Sequence, residues 1–318
     1  MKFSMPDYTV DYEVNKLDPR LHLSEGMRRV IDWQEAHAKG AFDTNCSLEE
    51  MRKNYVEERR FWNEGGPEAH RTVETAVEGP IGPVPVRIYY PDAAPQHHAV
   101  VFIHGGGFTV GNNDTHDRLM RCLMAASGCA VIGVDYHLAP EAKFPTPLYE
   151  CAAVVRYFHE NGAPWGILPD RMAIAGDSGG GNLSLATNLY LRDAFGGNDY
   201  VSALLLYYPG VGLTDGVTRR LQGSELDGMR RCDLAYSRTI NADLTHGIPA
   251  TYLCCGDLDP LLDDSRLLEA ILSTHGTHVQ LDVIPGVLHA FMHYGRMMPE
   301  AVACLERSGA FYKKLLDA

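Results

Sequence analysis

The chain has 318 residues, 45% of them hydrophobic and 22% charged. At about 150 residues per domain, this length admits two units or one large α/β unit with an appendage, and so apolar a chain packs a core rather than staying disordered. With 28 basic and 41 acidic side chains the formal charge is −13, which repels polyphosphate and anionic lipid and sets nucleic acid and membrane surfaces aside as partners.

The N-terminus carries no apolar run of the kind that starts an export signal, and no stretch approaches the roughly 18 uninterrupted apolar residues of a membrane span. Residues 1–66 predict helix. Met27, Val30, Ile31 and Ala38 fall near helical spacing, Ser47-Leu48-Glu49-Glu50 matches a capping box, and Met51, Tyr55, Phe61 and Trp62 continue an apolar stripe. The stripe predicts a helix that covers another element's core and has no direct chemical role. From Thr72 the period changes to that of strands. Runs at 72–77 and 84–90, joined by a Gly- and Pro-rich connection, predict a hairpin that opens a sheet. Beyond Pro91, apolar runs at 99–103, 130–135, 172–176, 201–208, 250–255 and 279–284 alternate with helix-like segments. This is the βαβ rhythm of a mostly parallel eight-stranded sheet with helices on both faces. Residues 211–248 break the rhythm as a Gly-, Arg- and Asp-rich excursion that returns to the sheet at Pro249. Eight cysteines without a C-x-x-C pair argue against a disulfide scaffold and for a reduced, cytoplasmic protein.

Chemistry concentrates at strand ends. Gly176-Asp177-Ser178-Gly179-Gly180 lies between the run at 172–176 and a helix-like segment, the setting of a nucleophile elbow in which a tight turn presents the serine Oγ. The competing reading is a helix-capping serine in an ordinary turn. His104-Gly105-Gly106-Gly107-Phe108 follows an earlier strand, and its glycines leave N–H groups uncovered to meet a developing oxyanion. Two of Gly105, Gly106 and Gly107, with Gly179, are the candidate donors, while His104 and Tyr136 are assigned to supporting the loop. Gly105, Gly107 and Gly111 also make a dinucleotide-like glycine pattern. Against that reading, the residues after Phe108 are β-branched, Gly and Asn, so the helix should start only near Asp114.

An acid and a histidine belong at the carboxyl ends of later strands. His275 and His278 fall on the wrong edge. His289 falls on the right one, just past the run at 279–284, with His293 in reserve. The acid is Asp257 or Asp259; for Asp259 the competing role is N-cap of a helix opened by Pro260.

These residues resemble the hormone-sensitive-lipase-like branch of the α/β-hydrolases, in which an HGGG loop precedes a GDSxG elbow. The likeness is carried by residues 58–63, 104–108, 114–118, 135–141, 176–180, 259–264 and 288–291, and reaches the acetyl-esterase group of that branch. It implies an α/β-hydrolase fold with a small helical cap, made of an N-terminal cap segment (1–66), a core in two parts (67–210 and 249–318) and the excursion at 211–248. It implies hydrolysis of short-chain acyl esters by Ser178, Asp259 and His289, with neither cofactor nor metal. It selects Asp259 over Asp257. It extends to partners beyond the small ester: a maltose-system transcription activator and an alpha-galactosidase, with a homodimer as one assembly. The sequence departs from the family between Asp227 and Asn241, where it is shorter and the pocket wall is open to change. Two further readings share the fold: a binding or regulatory protein that has lost its pocket, and an amidase or peptidase using the same triad.

Overall fold

The computed structural model describes residues 16–38, 40–41, 43–212 and 238–318. The N-terminal segment forms α1 (Glu25–His37) and α2 (Leu48–Asn63). Each is capped by a serine, Ser24 Oγ accepting the Met27 N–H at 3.1 Å and Ser47 Oγ the Glu50 N–H at 3.2 Å, which satisfies donors that a helix start leaves open. β1 (Arg71–Gly79) and β2 (Gly82–Tyr90) follow as an antiparallel hairpin.

The alternating region supplies β3 (Ala99–Ile103), α3 (Asp117–Ser127), β4 (Ala130–Val134), α4 (Thr146–Asn161), β5 (Met172–Asp177), α5 (Gly179–Ala194), β6 (Val201–Tyr207), β7 (Ala250–Gly256), α6 (Leu262–Thr274), β8 (Val279–Ile284) and α7 (Pro299–Asp317). The strands form one eight-stranded sheet in the order β1-β2-β4-β3-β5-β6-β7-β8, parallel from β4 to β8. β2 joins β4 antiparallel. Strands β3, β4 and β5 are buried along their whole length, so they show unbroken apolar runs rather than alternation: helices cover both faces. Phe102 and Leu205 face one core with Met27, Trp62, Leu123 and Phe311; Val101 and Leu204 face the other with Leu148, Phe158, Leu189 and Leu268. The period of two along each strand sorts its side chains between these cores.

The helix after the glycine loop starts at Asp117, later than the expected Asp114. Asn112 Oδ1 accepts the Thr115 N–H and Thr115 Oγ1 accepts the Asn112 N–H, each at 2.9 Å. This reciprocal pair closes a turn ahead of the helix, and the Arg118 N–H, which a helix from Asp114 would direct to Asp114 O, donates instead to Asn63 Oδ1 at 2.8 Å. Residues 1–15 of the N-terminal segment and 213–237 of the excursion, with most of the shortened stretch, lie outside the described residues. The stems of the excursion adjoin: the Ile240 N–H donates to Val211 O at 3.1 Å, and the Gly212 N–H to Asp264 Oδ2 at 2.9 Å. Among the described residues no helix is long and apolar enough to cross a membrane, and the cysteines are free thiols.

Candidate active site

The glycine loop leaves β3, Ser178 leaves β5, Asp259 leaves β7 and His289 follows β8, so the carboxyl ends of parallel strands converge on one crevice. β5 ends at Asp177 and α5 begins at Gly179, which leaves Ser178 alone to make the turn, at φ 53° and ψ −118°. A non-glycine residue holds such a conformation only when its surroundings impose it. Ser178 Oγ lies 2.8 Å from His289 Nε2, and His289 Nδ1 lies 2.7 Å from Asp259 Oδ2. Asp259 is wholly buried, while the His289 side chain is 32% exposed and reaches the crevice. The other oxygen of Asp259, Oδ1, accepts the Leu261 N–H at 2.8 Å.

The other candidates have different surroundings. Asp257 Oδ1 accepts the Gly286 N–H at 2.6 Å, tying β7 to the turn that leads to His289. Helix α6 has its N-cap at Leu261, so Asp259 does not cap it and Pro260 does not open it. His275 follows the end of α6 and His278 precedes β8, on the opposite sheet edge from Ser178. His293, the reserve base, points at Asp177 instead, its Nε2 3.5 Å from Oδ2.

In the glycine loop Gly106 has φ 115°, and a Cβ there would fall 2.1 Å from Val110 O, so no other residue fits this turn. One expected oxyanion donor is corrected. The Gly105 N–H donates to Asp177 Oδ1 at 2.8 Å and is not open to substrate. Among the described residues the Gly106 and Gly107 N–H groups have no acceptor, and Gly179, at the first position of α5, presents its own. His104 Nδ1 donates to Gly105 O at 2.8 Å, and the Tyr136 hydroxyl to His104 O at 2.9 Å. The two rings stack with centroids 4.3 Å apart, so both residues brace the loop. Burial, then the charge of His116, pushes His104 down to about 3, which leaves it neutral. The loop opens no helix, so the dinucleotide pattern lacks its phosphate-binding helix end.

Two residues around the site, Tyr208 and Arg52, carry no signal in the sequence. Tyr208, at φ 38°, packs edge-on to His289 with centroids 4.9 Å apart. Arg52 on α2 donates to Thr109 O at 2.8 Å and Ala139 O at 2.9 Å while pairing with Glu141, fastening the N-terminal helices to the glycine loop. On the same helix Glu58 and Arg59 form a buried ion pair at 2.7 Å. The expectation that α2 only covers a core is therefore incomplete. Behind Ser178, Asp177 lies between His116 and His293, all three buried. Burial raises the Asp177 carboxyl, but the charge and hydrogen bonds of His116 and His293 outweigh it and hold the group well below the usual carboxylate range. His293 is itself pushed down to about 3 by burial, Arg59 and His116. It therefore meets Asp177 as a neutral imidazole. One ligand atom from each of the three lies within 4.8 Å of the others, a spacing that a metal ion would also accept.

Residues 100–293 match the family described as alpha/beta hydrolase fold. Over 314 residues the chain is 38% identical to an acetyl esterase of Salmonella paratyphi A, with 94% of this chain and 96% of that one covered. Its structure is similar to a hyperthermophilic esterase from the archaeon Pyrobaculum calidifontis, with a TM-score of 0.84 and 28% identity over 93% of this chain and 100% of that chain. It is also similar to a thermostable carboxylesterase cloned from a metagenomic library, with a TM-score of 0.81 and 26% identity over 86% of this chain and 99% of that chain.

Proposed function

We propose that this chain, which belongs to the alpha/beta hydrolase fold family, is a serine carboxylesterase that hydrolyses short-chain acyl esters through an acyl-enzyme. The observation that carries the reading is the chain of two hydrogen bonds, 2.7 Å and 2.8 Å long, from buried Asp259 through His289 to Ser178. His289 takes the Ser178 proton as Oγ attacks the ester carbonyl, and Asp259 holds the imidazole with Nδ1–H and stabilises the imidazolium. The Gly106, Gly107 and Gly179 N–H groups receive the oxyanion; one such donor contributes about 3 kcal/mol to the rate. His289 returns its proton to the leaving alcohol, then activates water against the acyl-enzyme. α1, α2 and the described stems of the excursion, 211–212 and 238–248, are assigned to the cap over the core. The Phe108 ring, whose nearest carbon would lie 3.2 Å from a Cβ on Gly179, stands beside the residue that follows the nucleophile.

The test is hydrolysis of p-nitrophenyl acetate together with labelling by an organophosphonate. Ser178→Ala abolishes both turnover and labelling while the fold persists. Undiminished turnover, or a label on another residue, overturns the assignment.

A further inference from the structure

Sheet order sets where the imidazole must lie. Ser178 leaves β5 and Asp259 leaves β7, and β6 runs between those two strands. A histidine that bonds both side chains, as His289 does, therefore spans the carboxyl end of β6. The residue at that end is Tyr208. Backbone bonds tie this end to both neighbours: the Ser178 N–H donates to Tyr207 O at 2.9 Å, and the Tyr208 N–H donates to Cys254 O on β7 at 2.6 Å. The Tyr208 ring meets the His289 imidazole with centroids 4.9 Å apart and planes inclined at 64°, and it meets the Phe291 ring at 5.7 Å.

A break in the strand aims that ring. Leu204 and Leu206 face one core while Leu205 and Tyr207 face the other, and regular alternation would send Tyr208 to the side of Leu206. It joins Tyr207 instead, on the side that holds Phe291. The turn is made at φ 38°, in the left-handed region that a bulky side chain rarely takes, and directly before Pro209, which favours extended backbone in the residue ahead of it. The side chain is wholly buried, yet its hydroxyl has no hydrogen-bond partner among the described residues, a situation that native proteins mostly avoid. Burial, then the charge of Asp177, holds the phenol well above its ordinary range, so it stays neutral and offers no second base beside His289. With the hydroxyl unbonded, the ring is the part that acts. The His289 side chain is 32% exposed: part of it faces the crevice, and packing can hold it only from the side of Tyr208.

We propose that Tyr208 is a positioning residue whose ring forms the floor under the His289 imidazole and fixes the plane in which Nδ1 points at Asp259 and Nε2 at Ser178. The proposal rests on the esterase reading above. Hydrogen bonds at the two nitrogens hold two points of the imidazole and leave it able to swing about the line between them; packing against its side supplies the third point. Tyr208 acts through His289, where misplacement by about 1 Å costs about 100-fold in rate.

The experiment compares Tyr208→Phe, Tyr208→Leu and Tyr252→Leu with the parent. It uses p-nitrophenyl acetate kinetics, with kcat expressed per active site titrated by an organophosphonate, so that misfolded protein is not counted. Tyr208→Leu lowers kcat per site by about 10- to 100-fold with KM within about threefold of the parent, since binding is spared and the transition state is not. Tyr208→Phe keeps the ring and stays within about threefold of the parent in both constants. Tyr252 is buried in the same core; the same exchange there weakens the fold without reaching His289 and leaves kcat per site within about threefold. A Tyr208→Leu kcat within about threefold of the parent, a loss in Tyr208→Phe as large as in Tyr208→Leu, or an equal loss in Tyr252→Leu overturns the proposal. A second measurement does not depend on the leucine variants folding. In parent protein carrying 3-fluorotyrosine, the ¹⁹F resonance that disappears in Tyr208→Phe moves when an organophosphonate occupies Ser178, because the charge and partners of His289 change against the ring; a resonance that stays in place overturns the proposal. A parent that neither turns over esters nor labels at Ser178 overturns the esterase reading, and this shows before any variant is made.

Discussion

Asp259→Asn separates the two acidic candidates by a purely geometric argument. Oδ1 of Asp259 accepts the Leu261 N–H at 2.8 Å and Oδ2 accepts from His289 Nδ1 at 2.7 Å. In the asparagine, the Leu261 N–H keeps the carbonyl oxygen at the first position, so the amide nitrogen must face His289. An N–H cannot accept from Nδ1–H, and the imidazole changes tautomer, placing its proton on Nε2. The 2.8 Å contact with Ser178 Oγ then runs from histidine to serine, and His289 can no longer take the serine proton. A wrong tautomer in a Ser-His-Asp set costs about 10⁴-fold in kcat, or about 5 kcal/mol in the barrier. The assay is p-nitrophenyl acetate hydrolysis per titrated active site, with Asp257→Asn alongside. At Asp257 asparagine keeps an acceptor for the Gly286 N–H at 2.6 Å, so kcat stays within about tenfold of the parent because the bond that ties this turn is preserved. More than a tenth of parental kcat in Asp259→Asn, or greater damage from Asp257→Asn, refutes the reasoning.

Gly106→Ala places a methyl group 2.1 Å from Val110 O at φ 115°; the loop shifts and kcat falls at least about 100-fold, the cost of a lost oxyanion donor, and an unchanged kcat contradicts the donor assignment. Glu58→Gln keeps an acceptor for the Trp62 indole N–H (2.6 Å) but removes the charge opposite buried Arg59; thermal unfolding should show a loss of about 3 kcal/mol, and an unchanged midpoint would refute the pairing. Burial pushes Asp135 up to about 6, although the Asn113 N–H and Arg87 pull it down. The folded chain therefore holds this proton more tightly than the unfolded chain. The stability it contributes is present below the unfolded carboxyl range and is lost as pH rises through about 6. Asp135→Asn should raise the unfolding midpoint at pH 8, by at most about 3 kcal/mol. The gain closes toward pH 4, and one that widens on acidification contradicts the sign.

Much of the fold was legible in the sequence because its causes are local. The strand run at 99–103 coincides with β3, since a strand buried on both faces must be apolar throughout; that at 279–284 coincides with β8, an edge strand in which Val279, Leu281 and Val283 alternate with Gln280 and Asp282. The elbow was legible because a serine set between an apolar strand run and a glycine-rich helix start matches the strand–turn–helix pattern of a nucleophile elbow. The helix start at Asp117 was not, because the Arg118 N–H is taken by Asn63 Oδ1, 55 positions away, a tertiary contact that a hydropathy pattern ignores. Nor was the fate of the Gly105 N–H, since its acceptor belongs to Asp177, 72 positions away.

By itself the sequence determined the strand succession, the turn that exposes Ser178 and the side of the sheet to which an acid and a histidine must come, since each depends on neighbours along the chain. Tertiary structure decided which acid meets His289, which glycine amides stay open and which charges share the interior behind Ser178. Ser178 and His289 stand 111 positions apart and His289 and Asp259 stand 30 apart. Hydrogen bonds are directional over about 3 Å, so whether an amide or carboxylate has a partner is defined only once the sheet edge has brought these segments together.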